Sequence, residues 1–371
     1  MEKIGHNVIE SRQKIYGPFR LIIPPDHIEL NGSLNDLKDL LDLRHITELP
    51  KDEAAKFYTF VESMWYGYDN FNKGHLPEAL VSFEQALSSA VNEDQKIVAT
   101  QKVCHALARL GNFDEALTLC QKTLEFETLD AREHAWSLIL IAWIKLQQNL
   151  SNEAEELYYQ ALDLIRERRD NKIKGYVNNG LGLIRKSRGQ VKEAMAFYQR
   201  ALEYWSISDD FYGIQAAYFN IGNLYKVWGD QSGKQDEKDQ IPRYHHGIEW
   251  VMRCSSLCER MGIGNDMSQD QILLAKLHLK MGDIVKAEEY ANIGNERALK
   301  SDNKLDIAYS YRMLGRVYMT KGERERAEEA YMNFLTYIRL VGLPKEDLNQ
   351  REEAVKKILS DTGPQNLKKL T

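Results

Sequence analysis

The sequence predicts an all-α protein, folded as a right-handed superhelix of short helical hairpins. Two observations carry this prediction. Glycine and proline supply only 23 and 8 of the 371 residues, which is few for a β-sandwich or a barrel. One phrase also recurs along the chain: a small residue, six others, Gly or Asn, then four residues and usually Ala. Recurrence at this length is typical of helical-hairpin solenoids.

The recurring Gly or Asn predicts a turn in each hairpin. It stands at positions 74, 111, 149, 189, 229, 282 and 322, which are separated by 37, 38, 40, 40, 53 and 40 residues. Gly and Asn can end a helix in the left-handed conformation, so a second, antiparallel helix is expected shortly afterwards. The small residue before each turn lets the neighbouring helix approach closely, and a bulky residue four positions after the Ala continues the buried stripe.

These strings resemble the tetratricopeptide-repeat family. The resemblance is carried by Asn220-Ile-Gly-Asn-Leu-Tyr225 and by Glu193-Ala-Met-Ala-Phe-Tyr-Gln-Arg-Ala201, and it covers roughly residues 51–340. The forty-residue period is similar to that of bacterial peptide-sensing regulators of the Rap kind. The resemblance implies about seven repeats, with the first helix of each repeat lining a concave groove.

The predicted repeats lie between two capping segments. The three predicted parts are an N-terminal cap with a short hairpin and a helix (1–50), the repeats (51–340), and a C-terminal capping helix with a tail (341–371). Within the cap at the C-terminal end, Lys345–Ser360 places its apolar residues on one helical face. Thirteen extra residues after Gly229 predict an exposed loop insertion at 230–243, between the two helices of repeat five.

Charge and composition exclude several classes of function. The formal net charge is −6, which disfavours nucleic-acid binding. No apolar run approaches eighteen residues, so no membrane segment is expected and the chain is predicted to be cytoplasmic. Four cysteines without paired CxxC spacing predict neither a disulfide framework nor a zinc module. No cofactor is expected.

No catalytic motif is present either. The nearest constellation of metal-ligating residues is His245, His246, Glu249, Cys254 and Cys258. Cys254 falls at the buried small site of its repeat and Cys258 one turn beyond it, so both are interpreted as core residues. The sequence therefore predicts a non-enzymatic protein with no catalytic residue and no metal site.

The groove face has a distinctive charge. If the small residue of each repeat is position 8, then positions 2, 5, 9, 12 and 13 point away from the packing face. These 35 positions hold seven basic residues and no acidic one, where the overall composition predicts about five acids. The predicted ligand-binding residues are drawn from these 35 positions, and the Rap resemblance adds Asn220. They are Trp136, Trp143, Tyr176, Asn179, Lys186, Phe219, Asn220, Asn223, Lys226, Lys276, Arg312 and Arg316.

The residues of the groove face predict that it binds an extended protein or peptide segment with acidic groups. Lys and Arg can pair with carboxylates, Asn can bond to the backbone of the ligand, and aromatic residues can hold apolar side chains. The chain would then act as a peptide-binding module, with a regulatory role among the options. Two alternatives stay open: a peptide-controlled phosphatase or effector of the Rap kind, and a structural subunit of a larger complex. The sequence also permits a homo-oligomer.

Overall fold

The described chain is entirely helical, as predicted. The computed structural model describes residues 51–126, 130–232, 240–261, 268–301, 303–341 and 345–360, and these ranges contain helices and connections with no strand. The predicted N-terminal cap (1–50) and the last eleven residues lie outside the described residues.

Seven helical hairpins follow one another, and a single helix ends the series. The first helices of the hairpins are α1 Lys51–Lys73, α3 Glu93–Leu110, α5 Ala131–Gln147, α7 Asn171–Ser187, α9 Phe211–Ser232, α11 Gln269–Lys280 and α13 Lys304–Lys321. The second helices are α2 Leu76–Ser89, α4 Phe113–Thr123, α6 Ser151–Leu164, α8 Val191–Ile207, α10 Gln240–Met261, α12 Ile284–Ser301 and α14 Arg324–Arg339. The C-terminal helix α15 spans Lys345–Ser360, the bounds expected from its apolar periodicity.

Left-handed residues make the turns inside six of the seven hairpins. Five are glycines with φ between 74° and 93°, and the sixth is Asn149 with φ 63°. At Gly111, the backbone N–H donates to carbonyls in the last turn of α3, which satisfies groups that a helix end would otherwise leave exposed. The recurring Gly or Asn therefore ends the first helix where the sequence predicts it, except in repeat five.

Small residues in the first helices receive bulky side chains from the second helices. A Cβ added to Gly182 would lie 2.5 Å from the ring of Tyr198, and one added to Gly67 would lie 2.4 Å from the ring of Phe83. Both rings are fully buried. Glycine at these sites brings the two helices close enough for the ring to fill the space between them, which is the physical basis of the recurring pattern.

Repeat five differs from the prediction. Gly229 is not a turn: α9 continues through it to Ser232, and a Cβ at Gly229 would lie 2.4 Å from the ring of Tyr244. The helix α10 already begins at Gln240, so helices occupy both ends of the predicted loop at 230–243. Arg243 stacks on Trp228, with its guanidinium carbon 4.6 Å from the ring centroid. The predicted loop boundaries are therefore too wide, because this Gly serves close packing and not a turn.

The first helices form the inner side of the curved array. From α3 to α13, the first helices of successive repeats contact each other, whereas the second helices mainly contact helices of their own and the next hairpin. The layer with the closer spacing lies on the inside of a curved stack. We call the exposed side of this layer the inner surface.

The array also curves far enough for its two ends to approach each other. A Cβ at Gly111, in the turn of repeat two, would lie 2.8 Å from a methyl group of Val341, which follows α14. The side-chain amide of Asn149 donates to Asp347 of α15 at 3.3 Å. The early repeats therefore meet the C-terminal end of the array.

Candidate functional site

Five cations from four successive repeats converge on the inner surface. We call them the basic cluster, and they are Lys186 of α7, Lys226 of α9, Lys276 of α11, and Arg312 and Arg316 of α13. All five are residues that the sequence analysis assigns to the groove. They converge because each stands at an outward-facing position of a first helix, and these helices lie side by side.

Two lysines of the basic cluster have strongly lowered pKa values. Burial, together with the charges of Lys226, Arg312, Arg316 and Lys186, lowers the pKa of Lys276 to about 7. Burial, with Lys226 as the second cause, lowers the pKa of Lys186 to about 8. Like charges in a poorly solvated place disfavour the protonated form, so these amines hold their protons weakly.

One carboxylate accompanies the cluster. Asp230 accepts a hydrogen bond from Lys226 at 2.7 Å, lies 3.3 Å from Lys280, and accepts a hydrogen bond from the Tyr244 hydroxyl at 2.8 Å. Burial alone would raise the pKa of Asp230, but the hydrogen bonds from Lys226 and Tyr244 and the charge of Lys280 hold it below its ordinary value. Asp230 therefore stays ionised and neutralises one edge of the site.

The predicted asparagines partly satisfy each other. Asn220 donates its side-chain amide to the Asn179 carbonyl oxygen at 2.8 Å, which joins repeats four and five. Asn220 is buried, while Asn179 and Asn223 are half-buried. The structure thus uses Asn220 between two helices, and it leaves Asn179 and Asn223 partly exposed.

Aromatic residues of repeats one to four contact one another in two groups. His105 lies between Phe71 and Trp143, with ring centroids 4.6 and 5.9 Å away. Tyr176 lies between Trp136 and Trp205, at 4.8 and 5.1 Å. The predicted residues Trp136, Trp143 and Tyr176 are therefore half-buried members of edge-to-face aromatic groups. Phe219 likewise packs against an apolar cluster on α10 and α11.

Several residues at this surface were not among the predicted site residues. Asp230 was assigned to a loop, although its position four residues after Lys226 is the spacing of a helical ion pair. Asp306, at the start of α13, is buried close enough to Arg109 of repeat two for each charge to influence the pKa of the other. Among the described residues, Asp230 and Asp306 therefore bring carboxylates to the basic residues of the inner surface, although none of the 35 predicted groove positions is acidic.

The interpretation of the cysteines agrees with their surroundings. All four are free and buried, and the Cys254 thiol lies 3.5 Å from the backbone oxygen of Gln215. Within the described ranges, no three His, Cys, Asp or Glu side chains are grouped as metal ligands would be. None of the described helices is long and apolar enough to cross a bilayer.

A separate cleft of about 950 Å³ opens between α5, α6 and α7. It is lined by both acids and bases, among them Glu156, Asp163, Arg166 and Lys174. Arg166 donates to Asp163 within the cleft, so part of its charge is neutralised internally. No predicted site residue lines this cleft, and its mixed charge selects no ligand class.

Comparisons with known proteins agree with the repeat architecture. Family models described as tetratricopeptide repeat match residues 96–167, 176–204 and 308–338. No curated protein matches the sequence significantly.

Three similar solved structures are Rap or phosphatase proteins. A Rap protein complexed with competence and sporulation factor has a TM-score of 0.61 at 16% identity, covering 94% of this chain and 93% of that one. The apo form of RapI has a TM-score of 0.51 at 14% identity, covering 77% and 98%. Aspartyl phosphate phosphatase F from Bacillus subtilis has a TM-score of 0.51 at 14% identity, covering 92% and 90%. At these identities the likeness establishes a shared fold.

Proposed function

Because the chain is a tetratricopeptide-repeat solenoid, we propose that it is a non-enzymatic binding module whose inner surface takes an extended, acidic segment of a protein or a free peptide. The observation that carries this proposal is the convergence of the basic cluster in a protein of net charge −6. A fold that gathers like charges loses stability by doing so, and an anionic ligand would remove that loss.

The remaining chemistry of the inner surface suits a polypeptide ligand. Asn179 and Asn223 offer both donors and acceptors, and these can bond to the N–H and C=O groups of an extended backbone. The half-buried Trp136 and Trp143 present apolar edges in the early repeats. Lys226 and Arg316 supply charge further along. An extended segment with apolar and acidic residues would complement this order.

The similar Rap structures support the proposal at the level of fold. One of them is described as complexed with competence and sporulation factor, so a solenoid of this kind can hold a ligand. A likeness at 16% identity does not transfer a phosphatase output to this chain. The proposed role is therefore recognition, and the acidic nature of the ligand comes from the residues of this chain alone.

The proposal can be tested with a random ten-residue peptide library presented to the purified protein. We expect selected peptides to be enriched in Asp and Glu, and their affinity to fall with added salt. The double variant Lys226→Glu with Arg316→Glu should lose about 2–5 kcal/mol of binding free energy, because it replaces attraction by repulsion. Circular dichroism should show its helix content unchanged.

A second double variant, with the same total change in charge as the first, serves as the control. Lys192→Glu with Arg200→Glu places the same reversal on exposed positions of α8. This control should bind the selected peptides as the wild type does. Selection of peptides without acidic enrichment, or equal loss in both double variants, would contradict the proposal.

A further inference from the structure

We infer that the basic cluster is a site for a ligand group carrying at least two negative charges, such as a phosphoryl group or a pair of adjacent carboxylates, centred on Lys276. This inference rests on the proposed function for the location of the ligand, and it adds which chemical group of that ligand the site selects. Three features of the cluster lead to it: its unbalanced charge, the position of Lys276, and the arrangement of the two arginines.

Two lysines of the cluster, Lys186 and Lys276, have no acidic partner among the described residues. Asp230 neutralises the edge formed by Lys226 and Lys280, at 2.7 and 3.3 Å. No acidic side chain of the described residues lies within ion-pair distance of Lys186 or Lys276. One carboxylate therefore faces several cations, and a ligand with a single negative charge would leave most of the repulsion in place.

Lys276 stands at the electrostatic centre of the cluster. Its pKa is lowered by charges from three neighbouring helices: Lys186 on α7, Lys226 on α9, and Arg312 with Arg316 on α13. The lowered pKa values of Lys186 and Lys280 have fewer basic causes: Lys226 for Lys186, and Lys226 with Arg316 for Lys280. A compact anion bound beside Lys276 would therefore be attracted by all of these groups together.

The two arginines add planar donors to the point charges of the lysines. Arg312 and Arg316 are four residues apart on α13, so they extend from one face of the helix. Tyr331 packs its ring against Gly315 between them, and its buried hydroxyl has no hydrogen-bond partner among the described residues. Guanidinium groups bind phosphoryl and carboxylate oxygens through paired hydrogen bonds, which suits a group with several anionic oxygens.

Anion binding at this site must be coupled to proton uptake. At pH 8, Lys276, whose pKa is about 7, is mostly neutral, and Lys186, whose pKa is about 8, is half protonated. A bound dianion favours the charged amines and raises both pKa values. The proton that Lys276 gains comes from the buffer, so the heat of binding must depend on the ionisation enthalpy of the buffer.

Isothermal titration calorimetry at pH 8, in two buffers of different ionisation enthalpy, provides the test. The two probes are pyrophosphate and the capped dipeptide acetyl-Glu-Glu-amide, which represent a phosphoryl source and a carboxylate source. We expect saturable binding of at least one probe with uptake of about one proton. Binding of only one probe would identify the source, and binding of neither at millimolar concentration would overturn the inference.

Substitutions at Lys276 separate a specific site from general attraction to cations. Lys276→Met should weaken probe binding about tenfold or more and remove most of the proton uptake. Lys276→Arg should bind the probe at least as well as wild type but take up fewer protons, because arginine does not titrate in this range. The control Lys192→Met, on the exposed face of α8, should change neither quantity.

Two results at Lys276 would overturn the inference: affinity of Lys276→Met within twofold of wild type, or unchanged proton uptake in Lys276→Arg. Failure here is distinguishable from failure of the proposed function. If acidic peptides are selected and lost in the Lys226 and Arg316 double variant while Lys276 is without effect, only this inference fails. If the probes bind through Lys276 but no acidic peptide is selected, the proposed function fails.

Discussion

Equivalent helix positions hold different kinds of residue in the early and late halves of the inner surface. In repeats one to three these positions hold aromatic rings that contact each other, such as His105 between Phe71 and Trp143. In repeats four to seven they hold cations that repel each other, with Lys276 among four basic neighbours. Rings can satisfy one another inside the protein, whereas like charges cannot.

This difference separates structural from functional residues on one surface. Aromatic contacts gain dispersion and edge-to-face attraction without any ligand, so their presence at groove positions is explained by folding. A cluster of lysines whose pKa values fall to about 7 and about 8 costs stability in the free protein. Folding therefore does not explain the clustered cations of the late half, whereas binding of the proposed anionic ligand would.

The largest expected effect is on the aromatic side of the comparison. Trp205 is fully buried, contacts Tyr176, and occupies space that Cβ atoms on Gly175 and Gly213 would fill. Trp205→Ala should lower the free energy of unfolding by about 3–5 kcal/mol, because it leaves a large cavity. Urea denaturation followed by circular dichroism measures this quantity.

Trp250 provides the matched control for that substitution. It is half-buried on α10, where Arg253 stacks on it at 4.6 Å. Trp250→Ala should cost clearly less stability than Trp205→Ala. Equal losses would show that the aromatic group around Trp205 contributes no more to stability than a half-buried aromatic residue elsewhere.

The second-largest effect is expected in the late half, where two lysines should make the stability of the fold depend on pH. The pKa values of Lys276 and Lys186 are lower in the folded protein than in the unfolded chain, which therefore binds more protons between pH 7 and pH 9. Stability attributable to these two lysines should thus rise with pH in that window. Allowing for solvent screening, we expect the Lys276 contribution to be about 1–2 kcal/mol.

Lys276→Met should remove most of that contribution and be more stable than wild type at pH 7. The measurement is urea denaturation of both proteins at pH 7, 8 and 9. A difference between the two that does not shrink as the pH rises would mean that Lys276 is not the group responsible.

A smaller effect is expected at Asn223, an uncharged residue of repeat five within the late half. Asn223→Ala should weaken binding of a selected acidic peptide by about 1 kcal/mol, because an amide bonds to the ligand backbone. The dependence of affinity on salt should stay as in wild type. Asn292→Ala, on the exposed side of α12, is the control and should bind normally. A change in salt dependence for Asn223→Ala would assign this residue to the charged half.

The smallest effect is expected at Asp230, the carboxylate that faces Lys226 and Lys280. Asp230→Asn removes a competing internal anion, so the affinity for pyrophosphate should rise about twofold to fivefold. Asp114→Asn, on the exposed start of α4, keeps the change in charge but should leave the affinity unaltered. A lower affinity in Asp230→Asn would indicate that Asp230 positions Lys226 for the ligand.

The sequence by itself determined the helices and their pairing. Turn residues such as Gly111 and Asn149 are read from local backbone preference, and the match of Gly182 to Tyr198 is read from a short, repeated spacing. These features depend on residues close in the chain or one helix away, so periodicity is sufficient to predict them. The positions of Lys186, Lys226 and Lys276 on first helices follow from the same periodicity.

Only the tertiary structure decided which repeats contact each other and why Gly229 departs from the turn pattern. Gly229 fits the turn pattern, but it packs against the ring of Tyr244, and α9 continues to Ser232 with Asp230 on the helix. The approach of Asn149 to Asp347, across 198 residues, depends on small angles between neighbouring repeats that add up along the array. The sequence of a single repeat does not specify the sum of these angles, so the approach of the two ends and the lowered pKa of Lys276 are seen only in the complete array.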